Sequence, residues 1–456
     1  MRLAALLGPD LKALTSDPEA LREAFDEFHP EDVAELLEDL PALDLVEIIG
    51  ALTAETGADI VGRLSPERQQ QVMEALGIVA AAELLGEMDP DDRADFVGDM
   101  DREQRITLLD ELAKTDAEAA EETRELLAFD EETAGGLMTT EYVGLEPETK
   151  AWEAIEQLRK IAREDEAETI YLIYVVGFGE KLLGVVSLRD LILSDPAQTL
   201  AEIMTENVLS IRADEDQEEV AKIFARYDLN AIPVVDERNA MLGLVTVDDV
   251  VDVVIEEATE DAQMMGGVVP LEDSYFQTRF LELVWKRGAW LIVLFLGQLL
   301  TATVMVANQS VLASTQALAI FIPLIISSGG NAGSQSSTLI IRAMALGEAE
   351  PSDWLRVFWR ELLVGLALGF ILSAMGFARA YFAGGDVSAI HLAAVVSASI
   401  LAIVTLSTVI GSLLPMLIQR VGLDPAVSST PFIASVVDVL GLIVYFGLAV
   451  AILGLV

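Results

Sequence analysis

The residues best placed to do chemistry are carboxylates and small polar groups, in three settings. Asp438 lies inside the apolar stretch Pro431–Leu455, seven residues past Pro431. At about 1.5 Å per helical residue its charge would sit about 10 Å into a span. An acid at that depth is costly, so it is read as a functional site rather than as part of a plain anchor. A second apolar stretch, Ala317–Leu346, carries Ser327-Ser-Gly-Gly-Asn-Ala-Gly-Ser-Gln-Ser-Ser-Thr338 at its middle. Such a run is expensive against lipid. Gly329, Gly330 and Gly333 allow close backbone approach, and Asn331 and Gln335 offer oxygens to a lumen. The third setting is an acidic row, Asp249, Asp252, Glu256 and Glu260, which falls on a helical stripe about 80° wide. Like charges at this spacing weaken a helix by a few tenths of a kcal/mol per pair, so the row wants cationic partners. The plainer alternatives are a helix-packing motif with Asp438 bonded to neighbouring hydroxyls, and an ordinary solvated acidic face.

Composition narrows the classes. The 456 residues carry 75 acids and 28 bases, a net charge of −47, yet the mean hydropathy is +0.44. The conflict resolves when the chain is split. Residues 1–279 hold 67 acids and 21 bases, whereas residues 280–456 hold 8 and 7. An acidic soluble region therefore precedes a nearly uncharged membrane region. Such a charge excludes nucleic acid as a partner and favours cations. There is no Cys, and the two His, His29 and His391, cannot make an HExxH zinc site. No phosphate-loop motif and no Ser/His or His/Glu set is present, so the chain does not read as an enzyme. Met1–Asp10 lacks the apolar core of a signal peptide, which leaves the N-terminal part in the cytosol. With 7 Lys against 21 Arg and acids spread throughout, adaptation to a salty cytosol contributes to the charge.

Three kinds of element must position these residues. Between about 20 and 130 a repeat of helix starts occurs at Phe28-His-Pro-Glu-Asp, Leu52-Thr-Ala-Glu, Leu64-Ser-Pro-Glu-Arg, Met88-Asp-Pro-Asp-Asp and Met100-Asp-Arg-Glu, spaced 24, 12, 24 and 12 residues apart. A cap, a Pro at the first position and early acids are helix-start chemistry, so the spacing predicts a short helical solenoid. Two β-α-β-β-α modules follow. One runs from Leu137-Met138-Thr139 to Gly184-Val-Val-Ser187-Leu-Arg-Asp190, the other from Ile203-Met204-Thr205 to Gly243-Leu-Val-Thr246-Val-Asp-Asp249. One acidic helix is expected from Asp248 to Gly266. Then come five apolar stretches, Gly288–Val306, Ala317–Leu346, Leu362–Tyr381, Leu392–Ile418 and Pro431–Leu455, each long enough to span a membrane. Lys286, Arg287, Arg342, Arg356, Arg360 and Arg420 fall on one side and Arg379 on the other. The positive-inside rule then places the acidic region in the cytoplasm and the C-terminus outside.

The paired modules resemble a tandem CBS pair. That resemblance implies a site for the ribose of a nucleotide at Ser187/Asp190 and Thr246/Asp249. Further residues widen it: Pro323, Gly329-Gly-Asn-Ala-Gly-Ser-Gln335, Asp424-Pro425, and Ser435-Val-Val-Asp438-Val-Leu-Gly441. Together with the domain order they resemble the MgtE family of magnesium channels. The resemblance implies an α-helical solenoid N domain, an α/β CBS pair and an all-α membrane domain of five transmembrane helices. The boundaries are 1–133 for the N domain, 134–199 and 200–254 for the CBS domains, 255–280 for a linking helix and 281–456 for the pore domain. It implies a homodimer in the inner membrane, importing Mg²⁺ along a path lined by the second and fifth spans, with ATP as a modulator. Asp438, Asn331 and Asp424 would serve the ion path. Asp59, Asp91, Asp95, Asp216, Glu218, Asp228, Asp249, Asp252, Glu257 and Glu260 would form a cytosolic magnesium sensor that shuts the pore. The competing reading is a CBS-regulated receptor that conducts nothing, but a bare anchor needs neither Asp438 nor the glycine run. An anion channel is disfavoured by the acid in the span.

Overall fold

The computed structural model describes residues 28–38, 40–164, 167, 169–271, 275–276, 278–383 and 388–454, with the single positions Leu21 and Phe25. The Met1–Asp10 segment and Leu455 lie outside these residues. The chain divides into two compact units, one ending at Val254 and the other beginning at Ile255.

The first unit opens with helices α1 (Pro30–Glu38), α2 (Ala42–Ile49), α3 (Ala54–Gly62), α4 (Pro66–Leu76), α5 (Ile78–Gly86), α6 (Pro90–Gly98), α7 (Arg102–Thr115) and α8 (Ala117–Leu126). The five starts read from the repeat open α1, α3, α4, α6 and α7. Thr53 caps α3 by accepting from Thr56 N at 3.2 Å. Asp101 caps α7 by accepting from Glu103 N and Gln104 N at 2.9 and 3.1 Å. Ser65 and Asp89 precede their prolines without making a side-chain cap. The Ser65 hydroxyl instead donates to Glu38 Oε1 at 2.5 Å and ties α4 to α1. Leu37, Leu45, Ile48, Val61, Leu85 and Leu112 share one apolar core. Within it Arg93 is buried and ion-paired with Glu122 at 2.6 Å, while also donating to Thr123 Oγ1 at 2.8 Å.

The two modules follow. Strands β1 (Gly144–Leu145), β2 (Leu172–Val176), β3 (Leu182–Ser187) and β4 (Thr205–Glu206) form one sheet in that order, and β5 (Ile211–Arg212), β6 (Ala231–Val235) and β7 (Met241–Thr246) form another. In each, the first pairing is parallel and the second antiparallel. Helices α9 (Ala151–Glu164), α10 (Leu188–Leu193), α11 (Leu200–Ile203) and α12 (Gln217–Tyr227) connect and flank them. The opening Met of each module packs on the strand glycine of the other. A Cβ at Gly184 would lie 2.5 Å from Met204 Sδ, and one at Gly243 would lie 2.4 Å from Thr139 O and 3.1 Å from Met138. Thr139 and Leu244 exchange backbone hydrogen bonds of 2.9 Å in both directions. This reciprocal seat is why Met and Gly recur at matching places.

Helix α13 (Val247–Met265) grows out of β7 and continues into the second unit. There α14 (Phe280–Ala307), the short α15 (Gln309–Ser314), α16 (Ala317–Ala345), α17 (Trp354–Tyr381), α18 (Ala389–Arg420) and α19 (Thr430–Leu453) follow. Five of them, α14, α16, α17, α18 and α19, are long and apolar enough to cross a membrane. The Ser327–Thr338 run does not break α16, which is helical throughout and contains Pro323. Its glycines are contact surfaces. A Cβ at Gly329 would stand 2.6 Å from Ile403 and 2.8 Å from Val437, and one at Gly333 would stand 2.9 Å from Ile433. Gly411 of α18 returns the contact against the Gly333 backbone. Thus α16 is wedged against both α18 and α19.

Candidate functional site

The first unit carries an acidic cluster where α6 packs on the start of α13. Ala94 and Leu126 share an apolar core with Val250 and Val253, and acids flank that contact. Burial among protein atoms, then Asp89 and Asp249, push the Asp92 carboxyl up to about 6, against a lowering pull from Arg63. Burial, then Asp92 and Glu131, push Asp95 up to about 7. Burial, then Asp248 and Asp252, push Asp249 up to about 6 although Thr246 opposes the shift by hydrogen bonding. Asp92 and Asp95 keep much of their surface open to water, so solvent screens part of this repulsion. The cluster is crowded and like-charged, with a wet rim.

The sequence-derived sensor residues distribute as follows. Asp95, Asp249 and Asp252 belong to the cluster, and Asp91 is half-buried beside Asp92 on α6. Asp59 is exposed on α3, one turn before Gly62, which abuts the Asp92 carboxylate. Asp216 caps α12 by accepting from Glu218 N at 2.9 Å. Glu218 itself pairs with Lys222 at 3.2 Å. Both sit beside the connector, since Gln217 N donates to Glu132 O at 3.0 Å. Asp228 is the left-handed cap of α12, with φ 52°, and lines a separate cleft. Glu257 and Glu260 are half-buried on the later part of α13. Among the described residues no three His, Asp or Glu converge closely enough to hold a bare metal ion.

That separate cleft has a volume of about 930 Å³ and is lined by Tyr171, Ser187, Arg189, Ile192, Asp228 and Asn230, among others. The Ser187 hydroxyl donates to Asp190 Oδ2 at 2.7 Å. The equivalent pair in the second module, Thr246 hydroxyl to Asp249 Oδ2 at 2.6 Å, is at the acidic cluster instead. One module thus presents its Ser/Asp pair near a cleft, and the other uses its Thr/Asp pair to hold a cluster carboxylate.

In the second unit Asp438 follows Val437, the residue packed on Gly329. It is half-buried, and its carboxylate makes no hydrogen bond among the described residues. On α16, Ser327, Asn331, Gln335 and Thr338 form an exposed polar row, spaced to lie along one helix face. Asp424 is exposed and accepts from Ala426 N at 2.7 Å, which caps the short turn leading to α19. A second acid in the spans is Glu361 of α17, whose Oε2 accepts from the Ser336 hydroxyl at 2.7 Å.

Over 342 residues the chain is 42% identical to the magnesium transporter MgtE of Thermus thermophilus, an overlap covering 75% of this chain and 73% of that one. The chain belongs to the MgtE family. It is also 38% identical over 333 residues to the magnesium transporter MgtE of Enterococcus faecalis, which covers 73% of this chain and 72% of that one. The MgtE intracellular N domain matches residues 28–132, CBS domains match 134–195 and 200–256, and the family's divalent cation transporter domain matches 322–448. A crystal structure of the soluble part of a magnesium transporter is 35% identical, with a TM-score of 0.52, and covers 56% of this chain and 97% of that one.

Asp92, Glu131 and Glu361 join these groups in the structure without being marked by the sequence motifs above. Asp92, Asp95 and Asp99 are spaced three and four residues apart, which is a helical stripe facing the one on α13. That spacing was the available signal. Glu131 lies in a connector, where no periodicity marks it.

Proposed function

We propose that the chain is a magnesium channel, conducting Mg²⁺ down its electrochemical gradient and shut when cytosolic Mg²⁺ bridges carboxylates of the helical domain and the CBS pair. The observation that carries the reading is Asp438, an acid on a membrane-crossing helix whose carboxylate makes no hydrogen bond among the described residues, packed beside α16 and its open polar row. Mg²⁺ takes oxygen ligands and gives up water reluctantly. One carboxylate per chain with amide and hydroxyl oxygens suits an ion that passes largely hydrated. The membrane potential contributes about 2.3 kcal/mol per charge per 100 mV. The exposed row of Ser327, Asn331 and Gln335 would face a second copy across the ion path, so the working unit is a homodimer. The cations at Lys286, Arg287, Arg342, Arg356 and Arg360 support a cytoplasmic acidic region and a C-terminus outside.

The acids at α6 and α13 suit a regulatory cation for the same reason. They are hard oxygen donors held close enough to repel, and Asp92, Asp95, Asp249 and Asp252 come from two separate elements. A divalent ion binding between those elements favours their contact, and it shifts the equilibrium by its differential affinity for that state. The linking helix, which is the later part of α13 and ends at Met265, carries the change onward. The cleft at Tyr171, Ser187 and Arg189 is assigned to a modulating nucleotide such as ATP, with apolar walls for a base and Arg189 for phosphate.

Mg²⁺ flux into liposomes tests conduction. Wild type should admit Mg²⁺ and Asp438→Asn should not. A wild-type protein that admits none would return the receptor reading. Open probability in patches, measured against cytosolic Mg²⁺, tests the gate separately.

A further inference from the structure

Helix α13 ends in a tight left-handed turn. Gly267 has φ 73°. Its N–H donates to Met264 O at 2.8 Å, and Val268 N–H donates to Gln263 O at 3.0 Å. These are the paired bonds of a Schellman cap. The chain then doubles back onto α14, where Val269 N–H donates to Lys286 O at 3.2 Å. The Gln263 side chain locks the return by accepting from Leu271 N at 2.7 Å. Gly267 is buried, and a Cβ there would lie 2.6 Å from Trp290 Cδ1 and 3.3 Å from Pro431 Cγ. Backbone conformation and space both require glycine at this point.

Trp290 faces the other way as well. Its Nε1–H donates to Ser429 Oγ at 2.9 Å, and its ring centre stands 6.2 Å from that of Phe432. Ser429 is fully buried and caps α19, accepting from Phe432 N at 3.4 Å. Hydroxyls of α16 hold the same turn, Ser334 to Thr430 O at 3.4 Å and Ser337 to Ser428 O at 3.3 Å. Asp438 lies about two turns further along α19. A tryptophan at a membrane boundary ordinarily turns its N–H to the headgroups. Trp290 spends its N–H on a buried serine that starts the helix bearing Asp438.

We propose that Trp290 is a positioning residue for gating, the joint through which the Gly267 turn of the linking helix sets the start of α19 and thereby Asp438. This rests on the gating reading above. A shift of the Gly267 turn meets the indole at van der Waals distance, and the indole is bonded to the α19 cap. The motion therefore reaches α19 without any contact between the linking helix and Asp438.

The test is open probability against cytosolic Mg²⁺ in patches from the full-length channel, with unitary conductance read from the same records. Trp290→Phe keeps a ring against Gly267 and removes the donor. The loss of one ordinary hydrogen bond corresponds to about a five-fold change in the open-to-closed ratio, so the half-closing Mg²⁺ should rise by about that factor at unchanged unitary conductance. Ser429→Ala should shift in the same direction, and the double variant should shift no further than Ser429→Ala alone. Ser429→Ala also reads the bond by itself if Trp290→Phe does not assemble. The coupling is overturned if Trp290→Phe closes over the wild-type Mg²⁺ range, if the two shifts add, or if only unitary conductance changes. A wild type that stays open at high Mg²⁺ overturns the gating reading and this coupling with it. A wild type that closes beside an unmoved variant overturns the coupling alone.

Discussion

Protons should partly replace Mg²⁺ as the closing signal. In the packed arrangement Asp92 and Asp249 titrate near 6 and Asp95 near 7, against an ordinary value of 3.8. Once the elements separate, the crowding that raises them is gone. Acids with a raised pKa in one state take up protons there first, so lowering the pH favours that state. The gain is lost again as pH rises through 6 to 7. Between pH 8 and pH 6 the three groups together would raise the closed-to-open ratio by at most about forty-fold. Water reaches Asp92 and Asp95, so screening reduces this to an expected three- to ten-fold, roughly. The assay is open probability in inside-out patches bathed in chelator without Mg²⁺, stepped from pH 8 to pH 6. Open probability, not current, must be read, because Asp438 can also titrate. The Mg²⁺ needed for half-closure should change little, because the open state and the Mg²⁺-bound closed state both hold these carboxylates ionised. Asp95→Asn should close more readily without Mg²⁺ and lose most of the pH response. An open probability in chelator that is independent of pH would refute the claim that the compact cluster is the closed state.

Three further outcomes are expected. Asp438→Asn should fold and insert normally while losing at least about ten-fold in Mg²⁺ flux, because the carboxylate offsets dehydration in a low-dielectric path; flux into liposomes beside a thermal melt measures both. Neutralising Asp249, Asp252 and Glu257 together should leave the channel open at high cytosolic Mg²⁺ and abolish protection of Asp249–Asp261 by Mg²⁺ in limited proteolysis; closure over the wild-type range would make these acids plain surface. Gly333→Leu should force α16 from α19, since even a Cβ would stand 2.9 Å from Ile433, destabilising the membrane unit by about 1–3 kcal/mol and blocking conduction, measured as a lowered melting temperature and lost flux.

The sequence was most informative where one element decides the outcome. Helix starts at Thr53 and Asp101 follow from the cap residue alone, and the five spans follow from length and apolarity. It was less informative where two elements must meet. Ser65 looks like a cap but is drawn to Glu38 once α1 lies beside it. Asp92 gains its character only when α6 lands on α13. Asp228 reads as one more acid, yet its left-handed backbone places it in the cleft. The Ser327–Thr338 run reads as costly inside a membrane, but its glycines are spent on α18 and α19, which leaves only one polar row open. Glu361 is hidden because its partner, Ser336, is on another span.

The exchanged seats of Met138 on Gly243 and Met204 on Gly184 have a consequence for biosynthesis. Thr139 pairs with Leu244, so the first module cannot complete its pairing until the ribosome has delivered nearly all of the second. Contacts this distant in sequence form late and slow the folding step that depends on them. Until then the nascent chain presents the bare edge of the Thr139 segment and an uncovered apolar Met138, the kind of surface that chaperones hold. The pair is therefore one cooperative folding unit. A stop or frameshift between the modules would leave Met138 and the Thr139 segment without their seats on Gly243 and Leu244, exposed surface by which quality control can clear a truncated chain.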